Sequence, residues 1–182
     1  LIDLTLSFME LYAEKKKEKN LLDFSDMEHY ALKILLEEKD GEYVPTKTAL
    51  AYQEYFKEVM TDEYQDSNLV QELLLQSISK SDKGKCNRFM VGDVKQSIYG
   101  FRLARPELFM EKFKEYHQSY VNYSDDNMRI DLHKNFRSRK EVIESVNFIF
   151  EKIMEESLGG ITYDEEAALY PAADFPKPDS LE

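Results

Sequence analysis

Phe56-Lys57-Glu58-Val59-Met60-Thr61-Asp62-Glu63-Tyr64-Gln65-Asp66 is the stretch that decides the fold. Its apolar lead-in, Phe56, Val59 and Met60, predicts a short buried strand over 57–61 that ends in adjacent carboxylates. Such an ending sets hard oxygen ligands at the carboxyl edge of a sheet, where α/β folds bind ligands. Mg²⁺ takes few carboxylates together with phosphate oxygens and water. A second carboxylate beside it can orient or deprotonate the attacking water in phosphoryl transfer. Further along, Asn87 to Val91 reads as a second apolar strand, running into Gly92-Asp93-Val94-Lys95-Gln96-Ser97-Ile98-Tyr99-Gly100-Phe101-Arg102. That run offers an amide, two aromatics and a guanidinium, which suit a nucleotide phosphate on one side and a stacked base on the other.

Outward from these two stretches the periodicity predicts helices. Apolar positions from 1 to 12 followed by a Lys-rich end read as a helix over 1–18, its positive end favourable to the macrodipole. Asp23 or Ser25 can cap a helix over 26–38, which Asp40-Gly41 ends. Further helices are expected over 46–56, 68–79, 106–119 (opening at Pro106) and 139–156. Residues 81–85 read as a loop and 128–132 as a third strand. Residues 159–182 carry Pro171, Pro176 and Pro178 without a period, so loop or partial disorder is expected there. Strands alternating with helices imply parallel βαβ units, hence an α/β fold. Three strands are few for a complete doubly wound domain, and the missing ones are expected outside this chain. No Gly-rich phosphate loop is present in the sequence.

The chain has 182 residues and 21.5 kDa, enough for one full core. Its net charge of −12 argues against a generic polyanion coat. The charge is uneven, however: residues 83–114 hold eight Lys/Arg against three Asp/Glu, a local +5 that leaves −17 on the rest. A basic patch on an acidic protein can still steer a polyanion. Cys86 is the lone cysteine, which excludes an internal disulfide and fits a reducing cytosol. No apolar run is long enough for a bilayer helix and no secretory signal opens the chain, so a cytoplasmic location without membrane partners is expected. The absence of an initiator Met points to a piece of something larger. His29, His117 and His133 lack metal-ligand spacing and read as structural or exposed.

With those residues in view, the chain resembles superfamily 1 DNA helicases of the UvrD/RecB type, and within them the AddA family of helicase–nucleases. Asp62-Glu63-Tyr64-Gln65-Asp66 looks like helicase motif II, Val91 to Ala104 like motif III, and Leu132-His133-Lys134-Asn135-Phe136-Arg137-Ser138 like motif IV. Leu22 to Asp26 resembles the re-entry of the chain into the first RecA-like domain after an inserted helical subdomain. Gly92-Asp93-Val94-Lys95-Gln96, Asn135-Phe136-Arg137-Ser138-Arg139 and Tyr163-Asp164-Glu165-Glu166-Ala167 are the phrases that favour AddA.

The resemblance implies a partial RecA-like, P-loop NTPase-type domain whose parallel sheet lacks strands. It places 1–20 beside the inserted helical subdomain and 21–132 in the first RecA-like domain. It places 133–158 at the start of the second, with 159–182 as a tail. It implies ATP and Mg²⁺, with Asp62 and Glu63 as metal groups and Glu63 positioning the water. Gln96 would sense the γ-phosphate and Arg137 would reach it from the far side of the cleft. Tyr99 and Phe101, supported by Arg102, would stack on single-stranded DNA. The implied parent is one component of an ATP-dependent helicase–exonuclease in double-strand break repair and recombination. It would act on single-stranded and duplex-end DNA with an AddB-type partner. The chain by itself, lacking the phosphate loop and motifs V and VI, is expected to be inactive. Where the family often has Trp, this chain has Phe101, a weaker stacking face. The alternatives are a UvrD/Rep-like repair helicase without nuclease and a non-catalytic single-strand-binding module. Taken singly, Asp62-Glu63 would be a solvated strand end, Tyr99 and Phe101 core aromatics, and Arg137 a surface arginine. Asp66 reads as a supporting or capping group rather than a metal ligand.

Overall fold

Side-chain caps fix the helix starts around the first parallel strand pair of this chain. The computed structural model describes residues 1–80, 86–118, 127–159 and 161–176, and the loop expected at 81–85 lies outside the described residues. The chain divides into two compact units, one formed by Leu1–Thr61 with Ser67–Met90 and the other by Asp62–Asp66 with Val91–Glu182.

In the first unit, α1 (Ile2–Glu18) buries none of its residues, so its amphipathic face is solvent-exposed. α2 (Phe24–Leu35) opens on a reciprocal capping box: Asp23 accepts from the Asp26 amide at 2.8 Å and Asp26 accepts from the Asp23 amide at 3.0 Å. It ends earlier than the expected residue 38, because Leu36–Lys39 (β1) pairs antiparallel with Glu42–Pro45 (β2). Asp40 and Gly41, at φ 55° and 84°, form the tight turn between them. An Asp-Gly pair with both φ positive suits a hairpin, whose strands twist the same way. Thr46 then caps α3 (Lys47–Tyr55), accepting from the Ala49 amide.

β3 (Val59–Thr61) and β4 (Arg88–Met90) pair in parallel in the register Val59 to Arg88 and Thr61 to Met90. α4 (Leu69–Ile78) lies between them in sequence and opens on an Asn68–Gln71 capping box. This is the expected βαβ unit. Its strands are buried on one face only: Val59 is 8% exposed, whereas Met60 is 68% and Phe89 55% exposed. The helices supply the covered side: α2 packs on α3 and α4, and Ala49 and Gln53 are buried. Gln53 donates to the Ser77 carbonyl at 2.9 Å, tying α3 to the end of α4.

In the second unit, a 3-10 turn at Tyr64–Asp66 buries Tyr64 completely, its ring 6.3 Å from that of Phe109. Phe109 belongs to α5 (Pro106–Glu115), which carries Pro106 in its first turn and stops short of the expected residue 119. There His117–Gln118 (β5) pairs in parallel with Met128–Arg129 (β6), the strand part of the expected 128–132 segment. Lys134–Asn135 (β7) precedes α6 (Lys140–Ile153), a short α7 (Glu156–Gly159) and β8 (Tyr170–Pro171).

Residues 161–176 are turn and irregular chain apart from Tyr170–Pro171, in keeping with the loop expected there, but they are held in place. β8 pairs in parallel with β7, and Tyr163 is 7% exposed, stacked 5.8 Å from Phe150. The physical reason is Asn147 on α6, whose side chain imitates a strand edge. It donates to the Leu169 carbonyl at 2.9 Å and accepts from the Leu169 amide at 3.2 Å and the Tyr163 hydroxyl at 2.7 Å. Among the described residues the chain is therefore mixed α/β, with four two-stranded sheets, three of them parallel.

Candidate functional site

The acidic turn follows β3 in the chain and belongs to the second unit. Asp62 and Glu63 are exposed, and Asp62 Oδ1 accepts from the Glu63 amide at 2.9 Å. Glu63 sits at φ 50°, in the left-handed region that a residue with a Cβ seldom enters. Strain of this kind concentrates at functional positions. The Tyr64 amide donates to the Val91 carbonyl at 2.9 Å, bringing the 91–96 stretch against the acidic turn.

Gln65 holds the two together from within. Its side chain is fully buried, and Nε2 donates to Glu63 Oε2 at 2.7 Å and to Asp66 Oδ2 at 3.3 Å. Its Oε1 accepts from the Asp93 amide at 2.9 Å. A Cβ added at Gly92 would lie 2.7 Å from that same Oε1, so the close approach requires glycine. Asp93 in turn accepts from the Lys95 amide at 3.1 Å and, through Oδ2, from Gln96 Nε2 at 3.1 Å. Gln65, Gly92 and Asp93 stand inside the motifs, but the sequence alone assigns them no task. The signal that could have found them is a glycine between a strand and an aspartate, facing a polar residue that cannot be solvated.

The donor chemistry here fits a hard dication of the Mg²⁺ kind. Asp62 and Glu63 are exposed carboxylates, and Asp66 Oδ1 is buried without a hydrogen-bond partner among the described residues. No cluster of three His, Cys, Asp or Glu side chains able to cage a metal exists among the described residues. An ion of this kind would be held by one or two of these carboxylates, with phosphate and water completing the shell.

Tyr99, Phe101 and Arg102 form one exposed cluster. The two rings lie 5.9 Å apart, and the Arg102 guanidinium sits 5.4 Å from the Tyr99 ring and 5.5 Å from the Phe101 ring. Phe101 is 77% exposed, beside Ile98 at 69% and Leu103 at 77%. The left-handed Leu103, at φ 64°, closes the turn, and Ala104 anchors it as a buried residue.

Arg137 is exposed. Asn135 Oδ1 accepts the backbone amides of Arg137 and Ser138, each at 2.9 Å, which fixes the turn at the end of β7. Among the described residues no hydrogen bond or ion pair joins the Arg137 side chain to the acidic turn, which sets it apart from Asp62, Glu63 and Gln96. A neighbouring cleft of about 730 Å³ is lined by Leu132, Lys134, Phe136 and Tyr170, and none of the predicted site residues lines it. No helix among the described residues is long and apolar enough to cross a membrane.

A parallel strand–helix–strand unit, an acidic turn bonded to a Gly-Asp turn, and an exposed aromatic–arginine cluster define an α/β protein carrying helicase-type motifs. The chain belongs to the UvrD/REP helicase N-terminal domain family, whose profile matches residues 3–117. It is 57% identical over 177 residues to an ATP-dependent helicase/nuclease component of Lachnoclostridium phytofermentans, covering 97% of this chain and 13% of that protein. The proteins of the same name from Lysinibacillus sphaericus and Bacillus pumilus are 51% and 48% identical, over 96% and 97% of this chain. The chain spans 14% of the length of each of those two.

Proposed function

We propose that this chain is part of an ATP-dependent DNA helicase–nuclease that serves double-strand break repair and recombination. The observation that carries the reading is the bonded series Glu63–Gln65–Asp93–Gln96, lying inside the stretch matched to the helicase family. The fold is read as part of a RecA-like, P-loop NTPase-type architecture. Residues 21–132 then belong to the first RecA-like domain and 133–158 begin the second. Residues 1–20 adjoin an inserted helical subdomain, and 159–182 form a tail. A cytoplasmic location and an AddB-type partner go with this reading.

The roles follow from chemistry. Bound Mg²⁺ neutralises phosphate charge in phosphoryl transfer. Asp62 would hold it, with Glu63 beside it. Glu63 has one oxygen fixed by Gln65 and is exposed, so it can orient a water and accept its proton. Gln96, itself held by Asp93, would donate to the terminal phosphate. Arg137 would supply positive charge from the second domain. Tyr99 and Phe101, with Arg102 against both rings, would stack on bases without sequence preference. No residue of this chain is assigned to the nuclease step.

The test is the ATPase rate of the full-length protein that carries this chain, with and without single-stranded DNA. Glu63→Gln should lower the stimulated rate by about 100-fold or more, as loss of a general base does, while nucleotide still binds. Unchanged turnover in that variant overturns the reading.

A further inference from the structure

Gln65 is a buried polar side chain with both ends of its amide in use. The donor end serves the acidic turn, through Glu63 Oε2 at 2.7 Å and Asp66 Oδ2 at 3.3 Å. The acceptor end serves the next turn, through the Asp93 amide at 2.9 Å. Asp93 carries the series on to Gln96 at 3.1 Å, and the same stretch of chain leads directly into Tyr99 and Phe101. Among the described residues no other side chain bonds to the Glu63 carboxylate. Gln65 therefore fixes Glu63 and the Gly92–Gln96 turn with one rigid group, and neither can shift without breaking a bond to it. Gly92 leaves no slack: any side chain there would press on Gln65 Oε1.

We propose that Gln65 is a positioning residue that couples the Glu63 carboxylate to the Gly92–Gln96 turn, so that nucleotide at the acidic turn changes the grip of the Tyr99–Phe101 cluster on single-stranded DNA. This rests on the helicase function proposed for the chain. A merely structural amide would lower the melting temperature when replaced, but would leave the two sites as strongly linked as before. Coupling between sites has a direct measure, the factor by which one ligand changes the affinity for the other.

The experiment uses the full-length protein carrying this chain, a fluorescent oligothymidylate, and the non-hydrolysable ATP analogue AMP-PNP with Mg²⁺. In the parent protein the analogue should change DNA affinity by roughly fivefold or more, within the usual range of coupled sites. Gln65→Glu keeps an acceptor for Asp93 but sets a third carboxylate against Glu63 and Asp66. It should bring that factor to within about twofold of one, the value for uncoupled sites, while DNA affinity without nucleotide is unchanged. Its kcat for ATP should fall by about tenfold or more with little change in KM, as misplacement of a reacting group does. Gly92→Ala displaces the amide without altering its charge and should do the same; should Gln65→Glu fail to fold, Gly92→Ala carries the test. The proposal is overturned by a parent factor near one. It is overturned equally by variants that keep the parent's factor and kcat while Glu63→Gln has lost turnover. If Glu63→Gln keeps turnover, the helicase function itself is what fails.

Discussion

Arg88 on β4 and Glu72 on α4 meet in a two-pronged ion pair, with Nη1 to Oε1 at 2.8 Å and Nη2 to Oε2 at 2.7 Å. Their side chains are only 5% and 12% exposed. The pair fastens the helix of the strand–helix–strand unit to its second strand. Paired guanidinium and carboxylate planes match in shape as well as charge. Because both are desolvated, the cost of removing one exceeds the worth of the pair. Glu72→Ala should destabilise the first unit by up to about 3–5 kcal/mol, since it takes the two-pronged Glu72 bonds from a guanidinium that stays buried. Arg88→Met with Glu72→Leu should cost less than that single change. Denaturant unfolding of the three proteins checks it; a double variant no better than Glu72→Ala refutes the argument.

Lys16 reaches from α1 to both members of the α2 capping box, 2.9 Å from Asp23 and 2.5 Å from Asp26. Its hydrogen bonds to Asp26 and Asp23 raise the Lys16 ammonium above its usual range. Asp23 is pulled down to about 2, chiefly by the Lys16 hydrogen bond and then by the Asp26 amide. A carboxyl depressed in the folded state stabilises it above the unfolded pKa and loses that contribution as pH falls through the folded value. Lys16→Met should therefore lower the melting temperature at neutral pH. The gap from the parent should close between about pH 4 and pH 2. Asp23→Asn retains a good cap and should be milder than Asp23→Ala. A gap that persists unchanged at pH 2 refutes the assignment.

The segment from α1 to the first hairpin shows what a sequence carries and what it hides. Asp23 as a cap was legible because capping is local: a carboxylate and an amide three residues apart. The hairpin at 36–45 was hidden because Asp40-Gly41 is both a helix stop and a hairpin turn, and Leu36-Glu37-Glu38-Lys39 has ordinary helix formers. Pairing with Glu42–Pro45 settles it, and that depends on a neighbour rather than on the segment. The motif residues Asp62, Glu63, Gln96, Tyr99 and Phe101 were legible as chemistry. Their linkage through Gln65 was not, since a buried amide is visible only once two separated turns are brought together. Asn147 escaped for the same reason: in sequence it is a polar interruption of an apolar helix face, and its three partners lie beyond α6 in the chain.

Phe101, at 77% exposed, has little packing to lose within the protein. Under the proposed function its ring is free for a base, and Phe101→Ala in the full-length protein should weaken single-stranded DNA binding by about 1–3 kcal/mol. Folding stability should be almost unaffected. Arg102→Ala should weaken binding and also reduce its salt dependence, because a phosphate-facing cation releases counterions on binding. Titrations with oligothymidylate at several salt concentrations separate these effects. Unchanged affinity in Phe101→Ala removes the ring from the DNA-binding surface.

Tyr163 and Asn147 offer a contrast between a single bond and a hub. Tyr163 is buried, and burial raises its phenol above the usual value. Its hydroxyl bonds to Asn147 Oδ1 at 2.7 Å. Tyr163→Phe keeps the ring on Phe150 and removes only that bond, so the loss should be about 1 kcal/mol. Asn147→Ala strips partners from the Tyr163 hydroxyl and from both backbone groups of Leu169 at once. Each polar group left unpaired at a part-buried site costs about 1–3 kcal/mol, so this variant should cost several times more than Tyr163→Phe. It should also release β8 from β7, because Leu169 immediately precedes the strand. Hydrogen exchange reads that release directly. In Asn147→Ala the Tyr170 and Ala172 amides, bonded in the parent to His133 and Asn135, should lose protection, whereas in Tyr163→Phe they should keep it. Equal protection in the two variants would mean that β7 alone holds the strand and that Asn147 contributes only to packing on α6.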